Sequence, residues 1–92
     1  MALTIRANTF LEKRFLTVEE NGVSYFQSAL IGGKKEFAFS QVSCILMSST
    51  HRLSFQVDRE VFSIPTLPYD HEHQTVIQAL VQGVKRSAGL PA

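Results

Sequence analysis

The 92-residue chain has one cysteine, no tryptophan and only three prolines, and no apolar run approaches bilayer-spanning length. A lone Cys44 rules out an intrachain disulfide framework and suits a reducing compartment. A spanning helix needs ~20 consecutive apolar residues, and none is present. The opening Met1-Ala2-Leu3-Thr4-Ile5-Arg6 lacks a charged leader followed by a long apolar stretch, so no signal peptide is expected. Together these point to a soluble, cytoplasmic protein. Excess charge is lacking too: nine basic and eight acidic residues leave +1. Lys13, Arg14, Lys34 and Lys35 stand beside Glu12 and Glu36, which partly offsets any attraction for phosphate. The balance argues against nonspecific nucleic-acid binding and leaves room for a small basic pocket.

What the chain does have is 45% hydrophobic residues, seven of all its residues being Phe. That is enough for one compact domain over residues 1–92, with no repeats, low-complexity tracts or linker. Leu3, Ile5 and Ala7 alternate with polar neighbours as in a half-buried strand. Arg14 to Val18 and Val23 to Ser28 read as a hairpin around Glu19-Glu20-Asn21-Gly22, where Asn-Gly would supply the positive φ angles of a tight turn. Ile31-Gly32-Gly33-Lys34 reads as the next turn, before a short strand from Glu36 to Phe39. Val42 to Ser49 is apolar on both faces, as in a strand covered on both sides; under a sheet covered on one side only, part of it would be exposed and mark a partner or oligomer surface. Leu53, Phe55 and Val57 alternate cleanly, Asp58-Arg59 turns the chain, and Val61 to Ile64 closes a hairpin. Pro65 and Pro68 lack backbone donors and are expected to end the sheet.

A helix is predicted from about 70 to 88. Asp70 is a good N-cap, Glu72 suits the positive end of the helix dipole, and Lys85 and Arg86 suit the negative end. Val76, Ile77, Leu80, Val81 and Val84 form an apolar stripe, with Gly89 and Pro91 beyond it as stop signals. Gly83 costs ~1 kcal/mol relative to Ala inside a helix, which makes sense if the helix passes close to the sheet. The fold class is therefore mainly β: a sandwich or partly open barrel of six or seven antiparallel strands over about 3–65, capped by one C-terminal helix. A small SH3-like barrel with an appended helix is the alternative.

This order of elements, from about Arg14 to Arg86, resembles the short bacterial members of the pleckstrin-homology-like superfold. The most suggestive stretch is Phe37-Ala38-Phe39-Ser40-Gln41-Val42-Ser43-Cys44-Ile45, where a strand leads into a polar pair and then apolar residues at Val42 and Ile45. The resemblance implies a binding module, commonly without catalytic activity. It does not carry over lipid binding: the chain has no Trp, and Glu19-Glu20 makes an early turn acidic.

No complete catalytic constellation is visible, so no catalytic residue and no cofactor are expected. Gly32-Gly33-Lys34-Lys35 lacks the spacing of a phosphate loop but could touch an anionic partner. Lys34 and Lys35, with His51 and Arg52 on the Ser48-Ser49-Thr50-His51-Arg52 turn, are the residues proposed to meet a partner. Cys44, among apolar neighbours, reads as a buried and inert thiol. His71 and His73 lie ~200° apart on a helix and cannot easily share a metal. The leading expectation is a non-catalytic module that contacts a protein or peptide, or a second copy of itself. The alternatives are an anionic-lipid or phosphoinositide binder at a membrane surface, and a small metal-binding protein using His51, His71 and His73.

Overall fold

The computed structural model describes residues 3–8, 13–28 and 33–89. Strands β1 (Leu3–Asn8), β2 (Lys13–Val18), β3 (Gly22–Gln27) and β4 (Lys34–Ala38) form one antiparallel sheet in sequence order. A single 3-10 turn (Phe39–Gln41) leads into β5 (Val42–Met47), β6 (Arg52–Val57) and β7 (Glu60–Pro65), a second antiparallel sheet. The helix α1 (His71–Ser87) follows. The expected mainly β architecture with one C-terminal helix is what the chain adopts.

Period-two alternation puts one set of side chains from each sheet into a common core. Ile5, Leu16, Val18, Val23 and Tyr25 come from the first sheet, and Leu53, Phe55, Val57, Phe62 and Ile64 from the second. Tyr25, Phe37, Phe55 and Phe62 meet between the sheets, with ring centroids 5.2–6.2 Å apart. Such edge-to-face and offset contacts add ~0.5–1.5 kcal/mol per pair beyond area burial.

α1 packs on β1, β2 and the 3-10 turn. Asp70 caps it: the backbone N–H of His73 donates to Asp70 Oδ1 at 3.1 Å. The buried stripe is His73, Val76, Leu80 and Gly83, with Ile77, Val81 and Val84 half-buried beside it. A Cβ on Gly83 would stand 2.5–2.7 Å from the Phe39 ring, so the glycine is the space the ring occupies. The close approach expected to the sheet is instead made to an aromatic ring on the 3-10 turn.

Several local expectations are corrected. Neither Asn21 nor Gly22 has positive φ; the positive values are at Gly33, His51, Asp58 and Gly89 among the described residues. Gly22 is instead required by a close backbone approach, since a Cβ there would lie 2.3 Å from the carbonyl oxygen of Phe37. β4 begins at Lys34, so Lys34 and Lys35 are strand residues rather than a hairpin tip. The expectation that Pro65 ends the sheet holds: it is the last residue of β7, opposite Arg52, where an edge strand tolerates a missing donor. The strand from Val42 is not covered on both faces: it is an edge, and Leu46 and Met47 are 63% and 45% exposed. Cys44 is only half-buried and pairs with Gln56 on the outward face, after a bulge between Val42 and Cys44. The expected turn residues Ile31 and Gly32, and Pro91 at the helix stop, lie outside the described residues.

Candidate functional site

The four residues expected to meet a partner divide into two structural pairs. Lys34 and Lys35 are neighbours on β4, so their side chains leave opposite faces of the sheet. Lys34 stands opposite Phe26 on the outer face and pairs with Glu36 at 3.1 Å. Lys35 stands opposite Tyr25, reaches Glu60 of β7 at 3.0 Å and lies 5.5 Å from the centre of the Phe62 ring. It bridges the two sheets. No joint basic tip results.

His51 and Arg52 shape the β5–β6 turn. His51 has φ 62, a left-handed backbone that a four-residue polar connection needs. Arg52 donates through Nε to Ser63 Oγ at 3.0 Å, and its backbone N–H donates to Ser48 Oγ at 3.0 Å. Ser48 Oγ also lies 2.9 Å from Thr50 Oγ1. The hydroxyls are thus spent on the turn itself.

His73 is the buried member of its cluster. Its Nδ1 accepts the backbone N–H of Leu67 at 3.1 Å, which places the proton of the neutral ring on Nε2, 3.7 Å from Asp70 Oδ2. The ring holds the chain between β7 and α1, while His71 faces solvent. Among the described residues no three His, Cys, Asp or Glu side chains gather where one metal could sit.

The geometry brings out two surfaces, one raised as an alternative by the two-faced apolar run and one that residue-by-residue reading missed. The first is the β5 edge. Among the described residues β6 is the only strand hydrogen-bonded to β5. Leu46 lies opposite Ser54 on the outward face, and Met47 opposite buried Leu53 on the other. Val61 of β7, opposite Gln56 on the same outward face, is 65% exposed. The signal for this edge was the two-faced apolar run itself.

The second surface is the outer face of the four-stranded sheet. Phe15 and Phe26 are direct cross-strand partners, stacked with centroids 5.4 Å apart and planes 26° from parallel. The Arg6 guanidinium lies 5.9 Å from the Phe15 ring centre. Thr4 and Thr17 hydroxyls meet at 3.0 Å beside them. The signal was Phe15 and Phe26 falling in register with Lys13, Thr17 and Ser24, on the polar side of otherwise alternating strands.

Both sheets and the helix define a small two-sheet β domain closed by a C-terminal helix. Compared with protein-family models, curated proteins and solved structures, the chain matches none. No helix among the described residues is long and apolar enough to cross a membrane.

Proposed function

We infer that the chain is a non-catalytic binding module of pleckstrin-homology-like type that takes an extended segment of a partner protein along the β5 edge. The observation that carries this is β5 itself: one hydrogen-bonded neighbour among the described residues, and apolar side chains sent to solvent on both faces. An added strand gains affinity from main-chain hydrogen bonds and selectivity from alternate side chains. Leu46 and Met47 would meet those two alternating sets. The order of four strands, three strands and a closing helix supports the family reading. A half-buried, unpaired Cys44 beside the edge suits a reducing, cytoplasmic setting.

The test is selection of decapeptides from a random displayed library, followed by titration of a selected peptide against variants. Leu46→Lys and Met47→Lys place charges on the edge, a device that blocks strand pairing. Each should weaken binding roughly tenfold or more, about 1.4 kcal/mol, with thermal stability retained. Charge reversal at Lys34, on the other sheet, should leave it unchanged. Peptides that bind the Lys variants as well as the parent would refute the reading. A chain that is dimeric by light scattering and becomes monomeric with Leu46→Lys would put a second copy on the edge instead.

A further inference from the structure

We propose that the outer face of the β1–β4 sheet binds a short single-stranded nucleic acid, its bases on Phe15 and Phe26 and its phosphates held by Arg6 and Lys13. This surface is separate from the β5 edge and does not depend on it.

The rings and cations line one shallow groove of ≈ 600 Å³, together with Thr17 and Lys34. Two rings stacked on each other across neighbouring strands form a short π column, and every base has a π face with which to extend it. Arg6 adds a planar cation over the Phe15 ring, which a base can displace or stack beneath, and Lys13 is exposed on the same face two residues from Phe15. A single strand alternates planar bases with phosphates, which is the alternation this face presents. Four strands at ~4.8 Å spacing span roughly 14 Å, room for two or three nucleotides.

Overall charge balance conceals this arrangement. Arg14 and Lys35 point to the inner side, where Arg14 Nη1 donates to the Ser63 carbonyl at 3.1 Å and Lys35 pairs with Glu60. Arg6 and Lys13 remain at the ring end of the outer face. Glu19 lines the other end of the groove, and Glu36 pairs with Lys34. These acids limit the length of strand that is attracted. A membrane is the poorer occupant: the rings are half-buried in a flat strand face and cannot wedge into hydrocarbon. An acidic peptide would satisfy the cations but leave the ring faces unused.

The experiment is fluorescence anisotropy of fluorescein-labelled (dT)10 with the whole chain. The matching duplex, a Glu decamer and phosphatidylserine vesicles serve as competitors. Phe15→Leu and Phe26→Leu keep an apolar side chain and remove the ring; each should weaken binding roughly fivefold or more if bases stack there. Arg6→Glu and Lys13→Glu alter exposed positions, cannot disturb the core, and should weaken it comparably. Glu36→Gln frees Lys34 and should tighten it. Raising salt from 50 to 200 mM should cost roughly tenfold for two or three neutralised phosphates. No binding of (dT)10 would overturn the proposal. So would binding that ignores the ring and charge variants, or equal competition by the duplex, the Glu decamer or the vesicles.

Discussion

β5 and β7 are the two edges of the same three-stranded sheet, and the fold treats them in opposite ways. β7 is locked to the first sheet. The Ser63 carbonyl accepts from the Tyr25 hydroxyl at 2.8 Å and from Arg14 at 3.1 Å, and Glu60 pairs with Lys35. Phe62 and Ile64 fill the core from the same strand. β5 buries only Val42 and leaves Leu46 and Met47, on opposite faces, exposed. An unpaired edge is a hazard that proteins commonly blunt with charge or cover. β5 carries no charged residue from Val42 to Met47. Satisfied polar groups mark the edge that is tied to the first sheet, and exposed apolar side chains mark the edge that is not.

The contrast is broken most severely by equal truncations on the two strands. Ile64→Ala removes a core side chain and should cost about 2–5 kcal/mol. Leu46→Ala should cost less than about 0.5 kcal/mol, as surface changes do. Denaturant unfolding of both variants checks this, and similar losses would mean that β5 is structural.

The next largest effect concerns the helix where it packs on the 3-10 turn. Helix propensity alone makes Gly83→Ala stabilising by ~1 kcal/mol. The Phe39 ring against that position reverses the sign, and overpacking should cost about 1–3 kcal/mol. Thermal unfolding reads the sign directly, and a raised Tm would show that the ring moves aside freely.

Tyr25→Phe removes one of the bonds that lock β7 and should cost about 0.5–1.5 kcal/mol, seen as a lower denaturant midpoint. The effect stays modest because Arg14 still donates to the Ser63 carbonyl. The smallest change is at the β6–β7 turn, where Asp58 has φ 55. Asp58→Gly relieves a left-handed non-glycine residue but loosens the unfolded chain, so a gain of roughly 0.5 kcal/mol or less is expected by the same measurement.

Much of the fold was legible in local pattern. The alternations at Ile5, Leu53 and Phe55, the Asp70 cap and the Val76–Leu80 stripe each reported a feature that the structure contains. What pattern could not report was which neighbour lies beyond a face. The run from Val42 has the composition of a covered strand, and only the strand order makes it an edge. Gly22 looked like a turn glycine because Asn-Gly favours positive φ, yet its role is set by the carbonyl of Phe37 on the adjacent strand. His73 looked polar because it follows the cap, and is buried because it falls on the stripe of Val76 and Leu80. The basic pair Lys34-Lys35 is one feature in sequence and two in space, since a strand sends neighbours to opposite faces.

The most direct test of the β5 edge is amide hydrogen exchange, residue by residue, with and without a selected decapeptide. Strand addition predicts that β5 amides facing away from β6 gain protection on binding, while those of β7 and of the β1–β4 sheet stay as they were. Protection that appears elsewhere, with β5 unchanged, would contradict the account.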